Sequence, residues 1–82
     1  MTLAFVFVEC QDGQASAVKN STEKVVGVQE AYSISGGDYD IVVKVDAEDH
    51  KLVAALAAIR HISGIAAVAT NIVFKTLAKK RR

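Results

Sequence analysis

Eighty-two residues, 51% of them apolar, allow one domain, which at this size buries only ~60–65% of its unfolded surface. A single cysteine, Cys10, leaves nothing to form an intrachain disulfide, which fits a reducing, cytoplasmic compartment. No signal peptide is expected, and the apolar stretches fall short of the ~20 residues of a membrane span, while the net charge of +1 hides a mildly acidic body and a basic end.

Thr2 to Glu9 reads as a strand with two apolar faces, Leu3, Phe5 and Phe7 on one and Ala4, Val6 and Val8 on the other. A strand of that kind is covered on both sides. Gln11-Asp12-Gly13 is a break, and Asp12 is the expected N-cap of a helix over 14–24. Ala15, Val18, Thr22 and Val25 follow helical spacing. Gly27 ends that helix, Val28 to Ile34 is the second strand, and Asp38 to Val45 the third. Asp46 is the expected cap of a second helix, with Glu48 and Asp49 in the first turn, where the helix dipole favours them. Leu52, Val53, Leu56, Ile59 and Arg60 mark its inward stripe and edge, and Ser63-Gly64 closes it. Ile65 to Lys75 is a fourth strand, again apolar on both faces.

The chain repeats itself at an offset of thirty-seven residues. Val6 falls on Val43, Val8 on Val45, Val18 on Ala55, Thr22 on Ile59, Gly27 on Gly64 and Val28 on Ile65. Each half is strand, helix, glycine, strand. The order βαββαβ predicts an α+β, ferredoxin-like sandwich with an antiparallel sheet. Helices then cover one face only, so the other would expose a large apolar patch on a monomer. Packing of two sheet faces in a two-fold homodimer resolves this.

The second and third strands are joined through Ser33-Ile34-Ser35-Gly36-Gly37-Asp38-Tyr39-Asp40. The glycine pair supplies positive φ at no steric cost, and the flanking β-branched and aromatic residues make the stretch a hairpin. Its chemistry admits two readings. One is a solvated hairpin tip. The other is a small-molecule cradle, with bare glycine N–H groups for an anion and the Asp38 and Asp40 carboxylates for a cation. Alternation places Asp38, Asp40 and Val42 on one face and Tyr39, Ile41 and Val43 on the other.

These residues, with Gly27-Val28, Val42 to Val45 and the Ser63-Gly64-Ile65 turn, resemble the effector-binding domain of the Lrp/AsnC regulators, the RAM domain. The resemblance covers residues 2–76, and divides the chain into a ligand-binding domain over 1–76 and a basic tail over 77–82. The family's regulators carry a helix-turn-helix domain that this sequence has no residues to build, so a stand-alone RAM protein is expected. The resemblance implies sheet-to-sheet dimers that assemble into a ring-like oligomer, and an amino acid bound between neighbouring dimers. Its site would take Gly36, Gly37, Asp38, Tyr39 and Asp40 from the loop, and Thr70 and Asn71 from the fourth strand. No cofactor is expected. Fourth-strand positions that are often polar in the family are Val68 and Ala69 here.

Other features point less far. Cys10 has no basic neighbour in sequence and reads as an inert thiol. His50 and His61 lie ~16 Å apart along one helix, too far to share a metal. No spacing suggests covalent catalysis, and no enzyme is expected. Lys79-Lys80-Arg81-Arg82 reads as a solubilising tail rather than a nucleic-acid contact. Two functions stand: an amino-acid-binding sensor or modulator in transcriptional regulation, and an interaction module that co-assembles with full-length Lrp/AsnC regulators and binds no ligand.

Overall fold

The computed structural model describes residues 1–73. The elements are β1 (Thr2–Cys10), α1 (Ala15–Glu23), β2 (Val28–Ser33), β3 (Ile41–Ala47), α2 (Asp49–Arg60) and β4 (Ile65–Ile72). The strands form one antiparallel sheet in the order β2-β3-β1-β4. The ferredoxin-like order expected from the repeat is the observed one.

Alternation along β1 and β3 sets the two faces. Ala4, Val6 and Val8 on β1, and Ile41, Val43, Val45 and Ala47 on β3, are buried beneath the helices. Val18 and Thr22 of α1, and Leu52, Ala55 and Ile59 of α2, close the core from above. Thr22 is the polar residue of this layer, and its hydroxyl donates to Lys19 O at 2.7 Å, so its burial leaves nothing unsatisfied. The opposite face carries Leu3, Phe5 and Phe7 beside Val42, Lys44 and Asp46, all half-buried with no layer over them among the described residues.

The repeat is visible in space. Gly27 and Gly64 each follow a helix by four residues and take φ of 101° and 96°, a backbone state that costs an L side chain strain.

Several local expectations are overturned. Gln14 and Glu48, not Asp12 and Asp46, occupy the N-cap positions, and neither makes a side-chain cap bond. Asp46 stays in β3, opposite Leu3, and its N–H donates to Gly27 O at 3.0 Å. In α2 Ala55 joins Leu52 and Ile59 on the inward face, while Val53 is 66% exposed and Arg60 is also exposed. Ala15 is exposed. β3 begins at Ile41 rather than Asp38, so residues 38–40 belong to the connection. β4 ends at Ile72, and the domain boundary at 76 and the basic tail lie outside the described residues.

Candidate functional site

The β2–β3 connection, residues 34–40, is a hairpin loop of seven residues rather than a tight turn. Its base is closed by the Ile34 N–H donating to Asp40 O at 2.9 Å, and it is held to β1 by the Asp40 N–H donating to Val8 O at 2.8 Å. Gly36 takes φ 95°, so one glycine of the pair supplies the left-handed turn. A Cβ built on Gly36 or Gly37 would meet nothing within 4 Å. Residues 33–38 are exposed, leaving the glycine N–H groups and the Asp38 carboxylate open to a ligand or a second molecule.

Asp40 differs from Asp38. Its Oδ2 accepts the Cys10 backbone N–H at 2.8 Å. That N–H lies past the last β1–β3 pair, Val8 with Ile41, and where β1 shifts register against β4. The carboxylate therefore satisfies a strand end that would otherwise lack an acceptor. Its second oxygen has no protein partner among the described residues. The charge acts on the neighbouring thiol: burial first, and the Asp40 carboxylate second, push Cys10 above its ordinary pKa. This disfavours the thiolate and fits an inert cysteine.

Tyr39 lies on the opposite side from the one alternation assigns to it. Its ring packs on Phe7, with centroids 5.9 Å apart and planes tilted by 50°. Phe7 pairs with Val42 on the uncovered face, so Tyr39 shares their side. With β3 starting only at Ile41, strand alternation has no hold on residue 39. The loop motif does not foretell the Phe7 contact; its signal lies in the apolar stripe Leu3, Phe5, Phe7.

β4 splits its two candidates. Thr70 pairs with Val6 and faces the helix layer, where its Oγ1 is buried without a partner among the described residues. Asn71 pairs with Phe5 on the uncovered face and is exposed. Paired residues share a face and neighbours alternate, so one protomer cannot bring both side chains to one ligand atom.

Loop and strand thus offer free N–H donors, one free carboxylate, one half-used carboxylate and an aromatic wall. Residues 34–40 contain no basic side chain. A ligand carboxylate would rest on backbone N–H groups, and a ligand ammonium on Asp38 or the free oxygen of Asp40. No group of three or more His, Cys, Asp or Glu suited to a metal occurs among the described residues, and no described helix is long and apolar enough to cross a membrane. His61 sits at the C-cap of α2 with Nδ1 2.8 Å from Ala57 O, as a partner of the helix end.

The family model for the Lrp/AsnC ligand binding domain matches residues 3–82. A homocitrate synthase from Sulfurisphaera tokodaii is 36% identical over 76 residues, which span 90% of this chain and 16% of that enzyme. The chain thus matches about a sixth of the length of that curated relative. A crystal structure from Thermus thermophilus superposes with a TM-score of 0.83 at 25% identity, covering 92% of this chain and 95% of that one. The feast or famine regulatory protein of M. tuberculosis, solved with L-methionine, shares the fold at a TM-score of 0.68 and 24% identity, over 100% of this chain and 56% of its own.

Proposed function

Since the chain belongs to the Lrp/AsnC ligand-binding domain family, we propose that it is a cytoplasmic amino-acid-binding module that acts as a sensor or modulator in transcriptional regulation rather than as an enzyme. The observation that carries this reading is the open loop 34–40, with Gly36 at φ 95° and both glycines free of neighbours. A loop this bare gains its contacts from a ligand or a second molecule. The complex of the M. tuberculosis regulator with L-methionine supports an amino acid as the ligand class.

Two copies pair through the uncovered sheet face, burying Leu3, Phe5, Phe7 and Val42, and several dimers close into a ring. The ligand sits where two dimers meet, against Gly36, Gly37, Asp38, Tyr39 and Asp40. Asn71 reaches it from β4 of one copy, and Thr70 acts from the far side of the strand by shaping the core beneath. The match to a stretch of homocitrate synthase supports a transferable module, usable on an enzyme as well as on a regulator. Co-assembly with full-length regulators is the other reading, favoured by the apolar Val68 and Ala69 on β4.

A thermal-shift screen against the twenty amino acids separates the two. A ligand that binds only the folded form raises Tm with concentration. A rise for one or a few amino acids is expected, and no shift with any of them at millimolar concentration leaves the interaction module.

A further inference from the structure

We infer that α2 carries a docking stripe for α2 of a second copy of this chain, packed antiparallel about a two-fold axis, with Asp49 of each copy against Arg60 of the other and Val53 against Leu56.

Asp49, Val53, Leu56 and Arg60 follow one another at spacings of four, three and four residues, which aligns them along one flank of α2. The stripe is ~16 Å long at ~1.5 Å per residue. A hollow of about 340 Å³ is bounded by Asp49, Val53 and by Ile72 of β4, and a second of about 340 Å³ by Val53, Leu56 and Arg60, so that Val53 is a wall of both. Val53 and Ile72 are exposed and Leu56 is half-buried. Stripe and hollows form an apolar groove with no layer over it among the described residues. Large apolar side chains gathered in one groove point to an occupant.

Charge says which occupant. The stripe is acidic in the first turn of α2 and basic in the last. Asp49 Oδ1 accepts the Thr2 hydroxyl at 2.8 Å, and among the described residues neither Asp49 nor Arg60 has an ion-pair partner. A stripe with opposite charges at its ends and apolar residues between them is complementary to itself when reversed. Two-fold packing sets Asp49 on Arg60 and Val53 on Leu56, and each contact occurs twice. The spacings read the same in either direction, so all four positions come into register at once, as along an antiparallel coiled-coil seam. Opposed helix dipoles favour the same direction. The stripe lies on the helix layer, so the contact does not depend on pairing through the uncovered sheet face. A patch ~16 Å long and one helix, ~10 Å, wide falls well short of the ~800 Å² per partner of a stable complex. It therefore forms at millimolar rather than micromolar concentration.

NMR on the unmodified chain at ~1 mM, where a contact of this size is populated, tests this. Isotope-filtered spectra of mixed labelled and unlabelled copies should show NOEs from the Val53 methyls of one copy to the Leu56 methyls of another. Their absence overturns the inference and leaves the groove to a different occupant. Asp49→Arg and Arg60→Asp each bring like charges together twice in the two-fold pair. Each alone should cut these NOEs several-fold at low salt, with far-UV circular dichroism unchanged. Labelled Asp49→Arg mixed with unlabelled Arg60→Asp has opposite charges at both ends again and should restore them. The rescue uses the same two proteins that fail alone, so misfolding does not account for the loss. NOEs indifferent to the single reversals, or not restored in the mixture, overturn the antiparallel pairing. The NOEs should persist in Phe7→Glu protein, which separates a failure of this contact from a failure of the sheet-face pairing. Their loss there would overturn α2 as an independent docking stripe.

Discussion

The Asp40 carboxylate and the Cys10 backbone N–H meet at 2.8 Å, where β1 has run past its last pair with β3. A side chain from the β2–β3 loop thereby finishes a central strand. Asp40 acts on both the fold and the candidate site, and different substitutions separate the two roles. Asp40→Ala removes the acceptor and should cost ~1–3 kcal/mol in urea unfolding, the cost of a partly buried donor left unpaired. Asp40→Asn keeps an acceptor oxygen and should cost less than ~1 kcal/mol. In calorimetry with the amino acid found by screening, Asp40→Asn should nevertheless weaken binding by ~1.5–3 kcal/mol, about tenfold to a hundredfold. Equal affinities would remove Asp40 from the site.

The same pair predicts a pH effect. The Cys10 thiol is raised by burial and then by Asp40. Folded protein therefore holds its proton to higher pH than unfolded protein does. This contributes stability below the unfolded thiol pKa, and the contribution is lost as pH rises beyond it toward the folded value. The alkylation rate of Cys10 should rise with a midpoint above the ordinary thiol range of ~8.5. Asp40→Asn should lower that midpoint only in part, because burial, the larger cause, remains. An unchanged midpoint would show that the carboxylate does not act on the thiol.

Glycine positions should differ sharply. Gly36→Val should cost on the order of 1 kcal/mol or more, since φ 95° strains a β-branched residue. Gly37, without positive φ and with open space around it, should accept valine at little cost. Gly64→Ala should be worse than Gly27→Ala. Its Cβ would stand 3.0 Å from Gln14 Cβ and 3.1 Å from Val18 Cγ2, whereas at Gly27 the nearest atoms are 3.6 Å away. Thermal melts of the four variants rank them.

The proposed pairing through the uncovered sheet face is tested by placing a charge on it. Phe7→Glu places a charge among Leu3, Phe5 and Val42 and should leave a folded 8.7 kDa species in sedimentation, with unchanged far-UV circular dichroism. Val6→Glu, on the opposite face and fully buried, should instead abolish folding. A folded 8.7 kDa species for the unmodified chain at micromolar concentration would overturn the dimer.

Large features are legible in the sequence because they rest on period and repetition. The offset pairing Gly27 with Gly64 marks both helix ends and both returning strands, and alternation from Leu3 to Val8 assigns both faces of the central strand. Small features depend on contacts that sequence does not carry. Asp46 has the chemistry of a cap, yet β3 continues through it because its backbone is paired with Leu3 and Gly27. In α2 every position from Leu52 to Ile59 is apolar, so period alone does not choose between Val53 and Ala55. Ala55 is buried because it shares a face with Leu52 and Ile59, whereas Val53 lies off that face. Tyr39 escapes alternation because its partner, Phe7, lies thirty-two residues away.

The strand order has a consequence for how the molecule comes together. β1 and β2 come from the first half of the repeat, β3 and β4 from the second, and the order β2-β3-β1-β4 puts no two strands of one half side by side. Every rung of the sheet joins one half to the other. A peptide ending at Gly36 and one starting at Gly37 each lack any native strand neighbour and would remain unstructured alone. Mixed together they would regain the fold as a two-piece complex, which makes the exposed glycine pair a natural place to split the chain for a complementation reporter. By the same logic, two intact copies could trade halves without losing a single native rung.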